Sequence, residues 1–307
     1  MRAGGLRTVM NRRGSFGPPP AMPATLPGLQ LVSRWLFTSK EPVTIWEIIV
    51  LGIVEGVTEF LPVSSTGHLL LVEHWMQLAQ QPSELFNVVI QTGAVLAVML
   101  AFWGRLRQML KDWRLPATQD FARKIAVAFI ITAVGGLVMK KLGLKLPESA
   151  APVAWATLIG GFVIFAVERS ARGREGTPLV SWAVVVAVGL AQLLAAAFPG
   201  TSRSGASIIV ALLFGLSRPA ATEFSFLVGV PTLLAAGGYS ILSALRKPEV
   251  AHEPWSHILL GTIVAAVTAF LVVRWLLRFV QQHTFVFFAW YRVILGGVIL
   301  GFLVFSK

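Results

Sequence analysis

From residue 44 onward the chain is a succession of apolar stretches, and that succession limits what it can fold into. A bilayer core is about 30 Å thick, so a spanning helix needs about 20 apolar residues. Full-length candidates lie at about 85–103, 125–142, 152–168, 222–245, 257–275 and 285–305. Only 13% of the 307 residues are charged, against about 25% in a typical soluble domain. That is too little charge to coat a water-facing surface of this size. A soluble enzyme and an intrinsically disordered protein are therefore both excluded. The chain has no cysteine, which removes disulfides, thiolate metal sites and a cysteine nucleophile together.

The net charge of +12 has a membrane explanation. In a chain this apolar, excess Lys and Arg reads as loop charge that sets orientation, and not as a nucleic-acid surface. Six basic residues fall in the first forty (Arg2, Arg7, Arg12, Arg13, Arg34 and Lys40), with no acid before Glu41. Residues 1–43 lack the continuous apolar region of a secretory signal. They read either as a disordered basic tail or as the product of a mis-assigned start codon. Residues 44–307 read as one membrane domain.

Two regions depart from plain spans. Residues 44–61 are apolar but carry Glu47, Glu55 and Glu59, and end at Pro62 before the polar knot Ser64-Ser65-Thr66-Gly67-His68. Residues 179–198 end at Pro199-Gly200 before a second knot, Thr201-Ser202-Arg203-Ser204-Gly205. A short apolar piece follows each knot, to about 78 and about 216. Then comes a Glu near the start of a long span, Glu84 or Glu223, with three spans in each half. The expected fold is all-α: a polytopic helical bundle of two repeats, about 44–168 and 179–305. Each repeat is a re-entrant helical hairpin plus three transmembrane helices. Three is odd, so the second repeat should be inverted relative to the first. Broken hydrophobic segments at matching places in inverted repeats point to a site near the bilayer midplane. Irregular backbone at that depth must be buried in protein or line a wet cavity.

The chemistry-bearing residues cluster in these regions. Glu55 and Glu59 are four apart on one helix and share a face. Two carboxylates in apolar surroundings repel each other and need a proton, a basic partner or a metal ion. A divalent ion such as Mg²⁺ is commonly held by one or two carboxylates plus substrate phosphates. The ordinary alternative is that this helix end is wet surface. Ser64, Ser65 and Thr66 offer hydroxyls, Gly67 permits close backbone approach, and the next half-helix aims its N–H groups at the knot, which suits phosphate. His68 alone among the five histidines has such neighbours, and it reads as catalytic where an isolated histidine would read as structural. Arg203 stands between Ser202 and Ser204, with Gly205 behind, and Arg suits two-pronged phosphate recognition. Its alternative is a structural pair with Glu55 or Glu59, which a substrate would displace.

The stretches EGVTEFLPVSSTGH at 55–68 and PGTSRSG at 199–205 resemble the two signatures of the undecaprenyl-pyrophosphate phosphatase family, the bacitracin-resistance type. Glu223-Phe224-Ser225-Phe226-Leu227 and Tyr291-Arg292 match the same family. The resemblance covers about residues 44–307. It implies a bacterial membrane enzyme that hydrolyses undecaprenyl pyrophosphate to undecaprenyl phosphate and phosphate. It further implies dependence on a divalent cation, Mg²⁺ or Ca²⁺, a site open to the outer side of the cytoplasmic membrane, and a homodimer. By position it assigns function to Glu55, Glu59, Ser65, Thr66, His68, Ser202, Arg203 and Ser204.

On this reading Glu55 and Glu59 hold the metal, while Arg203 and the half-helix N-termini neutralise the pyrophosphate. Either Ser65 attacks phosphorus with His68 as its base, or His68 activates water or attacks directly; Ser65 is favoured. The competing class is a transporter or flippase for an anionic lipid or small anion, which broken inverted repeats also suit. Basic residues cluster in 104–124, in 168–176 and at Arg274 and Arg278. With re-entrant hairpins these regions all fall on one side, expected to be cytoplasmic.

Overall fold

The computed structural model describes residues 43–76, 78, 82–144, 149–246 and 254–305. The reading of residues 1–43 as a basic tail lies, but for Val43, outside the described residues. Among these the regular structure is helical, with one isolated bridge between Thr177 and Leu216 and no sheet. The first hairpin is α1 (Ile45–Thr58) and α2 (Ser65–Trp75). Next come α3 (Glu84–Ala101), a short α4 (Trp103–Lys111), α5 (Pro116–Lys141) and α6 (Ala150–Ser170). The second hairpin is α7 (Trp182–Ala197) and α8 (Arg203–Leu213). The chain ends with α9 (Arg218–Arg246), α10 (Trp255–Gln282) and α11 (Val286–Phe305).

Six of these helices, α3, α5, α6, α9, α10 and α11, are long and apolar enough to cross a membrane. The hairpin arms α2 and α8 have 11 residues each. At 1.5 Å per residue that is about 16 Å, half a bilayer core. Two spans are longer than hydropathy indicates. α5 begins at Pro116 and α10 runs on to Gln282. Charged residues take a helix out of the bilayer without ending it, and Pro116 at the first position of α5 is a favoured start. The 104–124 loop also holds α4, which buries none of its residues. It carries Trp103 and Leu110 against Arg105, Arg107 and Lys111, a composition suited to the membrane interface. Exposed Trp46, Trp75, Trp113, Trp182 and Trp255 likewise sit at or near element ends.

The helices approach closely through glycine. A Cβ on Gly52 would stand 2.9 Å from the Gly261 carbonyl oxygen, and one on Gly56 2.6 Å from that of Ala265, so α1 lies directly on α10. Gly189 does the same for α7 on α5, where a Cβ would stand 2.9 Å from Ile131 Cβ. Gly161 and Gly296 seat α6 and α11 on each other. Lipid tails offer no hydrophobic drive between helices, so such backbone-to-backbone contact supplies association through dispersion. Phe60, just before the first knot, packs edge to face on Phe226 of α9 at 5.0 Å.

The ends of the bundle differ. Residues 170–171, 174–176, 212–213, 215–219 and 280–284 line one cavity, and Arg105 donates to Glu223 at 2.9 Å nearby in the chain path, on α9. The basic segments after α3, after α6 and at the end of α10 therefore gather at one end. Glu168, at the start of the basic 168–176 segment, is buried. It accepts from Arg218 Nε at 3.0 Å and from the Phe285 backbone N–H at 2.8 Å, joining the starts of α9 and α11.

Gly93 of α3 faces Thr262 of α10, where any Cβ would overlap the Thr262 carbonyl oxygen. Gly136 on α5 has nothing within 4 Å of where a Cβ would sit. Gly93→Ala should therefore destabilise the protein in detergent by about 1–3 kcal/mol, as overpacking does. Gly136→Ala should leave the melting temperature unchanged or higher, because Ala favours helix by up to about 1 kcal/mol. Thermal unfolding of both variants is the check, and equal melting temperatures would contradict the close α3–α10 approach.

Candidate active site

The site is built where the two knots meet. α1 starts at a capping box: the Thr44 N–H donates to Glu47 Oε2 at 2.6 Å. That places Glu47 at the helix entrance and Glu55 and Glu59 on the last turns of α1 and at its cap. After the turn over Phe60–Val63, Ser64 adopts φ 76°, and its hydroxyl accepts the Gly67 N–H at 3.3 Å. Ser202 repeats this with φ 67° and accepts the Gly205 N–H at 3.1 Å. A non-glycine residue at positive φ is uncommon and costs about 1–3 kcal/mol, so it persists only where its surroundings over-determine it.

Here the surroundings are a dense set of hydrogen bonds between the knots. Ser204 Oγ donates to the Leu61 carbonyl at 2.9 Å, and Ser202 Oγ lies 3.4 Å from the same oxygen. Arg292 of α11, 1% exposed, threads between α6 and both knots. Its guanidinium donates to the carbonyls of Pro62 at 3.3 Å and Gly200 at 3.0 Å, and to those of Thr157 and Ala156 at 3.1 Å each. Gly160 makes room for it, since a Cβ there would overlap Nη2. Carbonyls left bare by the irregular turns are thereby satisfied without water.

Against this frame lies a cavity of about 190 Å³, lined by Glu59, Ser64, Ser65 and Thr66 from the first knot and Gly200, Ser202 and Arg203 from the second. Gln91, Thr132 and Thr232, near the middles of α3, α5 and α9, complete it with Gln192 of α7. The cavity thus sits at mid-depth of the spans. Glu59 is its hub. Ser65 Oγ donates to Glu59 Oε2 at 2.8 Å, and Arg203 Nη2 donates to Glu59 Oε1. The ion pair is shielded, with side-chain exposures of 24% for Arg203 and 5% for Glu59. Breaking either partner alone would leave an uncompensated buried charge.

Other expected site residues are placed differently. Glu55 is fully buried behind the cavity, against the Glu59 carboxyl and facing Arg203, and no N–H or hydroxyl group donates to its oxygens. Ser204, Gly67 and Gly205 support the knots and do not line the cavity. The expected Ser65–His68 pair is not formed. His68 Nδ1 faces the Ser64 carbonyl at 2.7 Å, and Nε2 lies 2.6 Å from the Tyr291 hydroxyl. The ring stacks on Tyr291 with planes 3° apart. A carbonyl can only accept, so Nδ1 carries the proton and Nε2 accepts from Tyr291. The reason for the difference is that Ser65 opens α2 and reaches back to Glu59, while His68 one turn later turns outward to α11.

Sequence reasoning passes over Gln91, Thr132, Gln192 and Thr232 as site residues, and treats Tyr291 and Arg292 only as family markers. Two signals were available. Arg292 is an ionisable residue inside a span, which by itself points to function. Gln192 stands seven residues before Pro199, as Glu55 stands seven before Pro62.

A family model described as bacitracin resistance protein BacA matches residues 48–298. The chain is 49% identical over 253 residues to an undecaprenyl-diphosphatase of Rhizobium etli, covering 82% of this chain and 94% of the relative. It is 46% identical over 256 residues to an undecaprenyl-diphosphatase of Xylella fastidiosa, covering 83% and 97%. A similar match, 46% over 253 residues, is to an undecaprenyl-diphosphatase of Xanthomonas axonopodis pv. citri.

Removing the Arg292 guanidinium would strand the buried carbonyl of Pro62, at about 1–3 kcal/mol, and leave that of Gly200 with only the longer contact from Thr157 Oγ1 at 3.3 Å. Arg292→Ala should lower the melting temperature and abolish cavity function together. Gly160→Val, which displaces the guanidinium without deleting it, should do the same. A melting temperature at the parent value in both variants would show that the knots do not depend on this residue.

Proposed function

The chain belongs to the bacitracin resistance protein BacA family, and from that premise we propose that it hydrolyses undecaprenyl pyrophosphate to undecaprenyl phosphate and phosphate. The reaction recycles the lipid carrier for peptidoglycan synthesis and confers bacitracin resistance. The observation that carries the proposal is the Ser65–Glu59–Arg203 array lining a cavity at mid-depth of a multi-pass membrane protein. A nucleophile, a base and a cation stand together where a lipid-borne pyrophosphate can reach them. A transporter of anions has use for Arg203 but none for a serine hydroxyl committed to a carboxylate.

In the proposed reaction the pyrophosphate enters the cavity and draws Arg203 from Glu59 Oε1 to its own oxygens, which its planar fork suits. Ser65 Oγ attacks the terminal phosphorus and its proton passes to Glu59 Oε2, already its hydrogen-bond partner. The bond from that phosphorus to the bridging oxygen breaks, Glu59 returns the proton to the departing undecaprenyl phosphate, and that product leaves. Water then attacks the phosphoserine as its proton passes to the freed Glu59 carboxylate, which hands it to Ser65 Oγ as the serine–phosphorus bond breaks and phosphate departs. The N–H groups opening α2 and α8 add positive potential where charge collects. His68 holds the first turn of α2 through the Ser64 carbonyl and so positions Ser65.

Glu55 fits the divalent cation implied for this family: two fully buried oxygens that no N–H or hydroxyl reaches, against the Glu59 carboxyl, require neutralisation by a proton or a cation. Glu55 and Glu59 would hold Mg²⁺ or Ca²⁺, and a bound ion would neutralise pyrophosphate charge. No group of three or more His, Asp or Glu suited to a metal occurs among the described residues. The remaining ligands would therefore be substrate oxygens and water.

The two halves have the same order of hairpin and spans, and their packing is reciprocal. α10 of the second half lies on α1 through Gly52, and α5 of the first lies on α7 through Gly189. Gly52 and Gly189 stand ten residues before Pro62 and Pro199 respectively. This supports inverted repeats as part of the proposal. The end bearing the basic segments is assigned to the cytoplasm, the site to the outer side of a bacterial inner membrane, and the family homodimer is included.

The test is phosphate release from a polyprenyl pyrophosphate by purified protein in detergent. Turnover is expected without any membrane gradient and should fall on chelation of divalent ions. Ser65→Ala and Glu59→Gln should each reduce turnover at least about a hundredfold, and the double variant should be little worse than either, because the pair serves one step. His68→Ala should be milder than Ser65→Ala. Substantial turnover by Ser65→Ala, with none by His68→Ala, would transfer the nucleophile to His68.

A further inference from the structure

Gln192 is a cavity-lining residue that the proposed mechanism leaves unused, and its side chain is the one there with both polar atoms buried and unpartnered among the described residues. It is 1% exposed, and both Oε1 and Nε2 are buried without a hydrogen-bond partner. Leaving a buried amide unsatisfied costs about 1–3 kcal/mol, and native proteins seldom do so without a ligand or water in place. Most of the neighbouring donors are already engaged. Ser65 and Arg203 serve Glu59, Ser202 and Ser204 turn to Leu61, and Thr232 donates to the Val228 carbonyl at 3.0 Å. Thr132 donates to Ala128 at 3.1 Å and shares its hydroxyl with the Gly189 carbonyl at 3.2 Å. That last contact, with the close seat of α5 on Gly189, fixes the rotation of α7 and holds Gln192 one turn on toward the cavity.

The residue type carries further information. Gln192 matches Glu55 in register, so the second repeat places a neutral amide where the first places a carboxylate. A third buried acid beside Glu55 and Glu59 would repel an incoming anion. An amide presents two N–H donors and no charge. We propose that Gln192 is a substrate-binding residue whose Nε2 donates to a nonbridging oxygen of the terminal phosphoryl group. The identity of that group rests on the phosphatase reading; the inference that the amide binds a phosphate oxygen rests on the cavity itself.

The experiment uses the full chain in detergent with inorganic phosphate as probe. Phosphate should raise the melting temperature of the parent protein, as any ligand of the folded state does. Gln192→Met should melt at or above the parent without phosphate, since it removes an orphaned polar group at similar volume. It should need about tenfold to hundredfold more phosphate for the same shift, the range for a lost hydrogen bond to a charged group. Its kcat/KM on a polyprenyl pyrophosphate should fall by a similar factor, and Gln192→Glu should be worse on both measures. An unchanged phosphate response in Gln192→Met, or no response in the parent, overturns the inference. So does a melting temperature that drops with activity, which marks a structural role. A parent protein that responds to phosphate through Gln192 yet releases none from the lipid would sink the phosphatase reading and leave the amide site standing.

Discussion

Everything at the centre of this protein depends on one buried guanidinium satisfying backbone carbonyls. Re-entrant turns at mid-membrane expose carbonyl oxygens where no bulk water can reach them, and each bare one would cost several kcal/mol. Arg292 meets this need with donors spread in a rigid plane, reaching Pro62 in one knot and Gly200 in the other while anchored on α6. It is held by carbonyl dipoles and not by a counter-ion. A side chain from the last helix, together with Ser204 Oγ on the Leu61 carbonyl, therefore sets the distance between two turns more than 130 residues apart in sequence.

With the knots held, the chemistry of the cavity follows from which groups have partners. Glu59 gathers Ser65 and Arg203, so a resting ion pair keeps the guanidinium and the carboxylate from being stranded in low dielectric. Glu55 and Gln192 each stand seven residues before a knot's proline; Gln192 remains without a partner, and Glu55 has only the Glu59 carboxyl against it. One is an acceptor pair suited to a cation, the other an amide suited to an oxyanion. Under the proposed function the two halves would divide the recognition of a metal-bound phosphate between them.

The positive-φ serines show the same economy. Ser64 and Ser202 accept strain, and each hydroxyl in return closes the first turn of its half-helix. The N-termini of α2 and α8 are thereby presented to one cavity. Reciprocal glycine contacts, α1 on α10 and α7 on α5, bring the hairpins inward until those ends meet.

Hydropathy by itself determined that this chain is a helical membrane protein with six full spans and two broken regions. The paired Pro-bounded polar knots, EGVTEFLPVSSTGH and PGTSRSG, marked where the chemistry lies. These features are local: apolar length, proline and the clustering of hydroxyls, acids and a base within a few residues. Only the tertiary structure decided partners. It turned Ser65 toward Glu59 and away from His68, gave His68 to Tyr291, made Arg292 the clasp of both knots, and brought Gln91, Thr132, Gln192 and Thr232 from four separate helices to one cavity. Those outcomes depend on helix rotation and on contacts between distant segments. A mid-span glutamine or arginine reads the same along the chain whether it faces lipid, a carbonyl or a substrate.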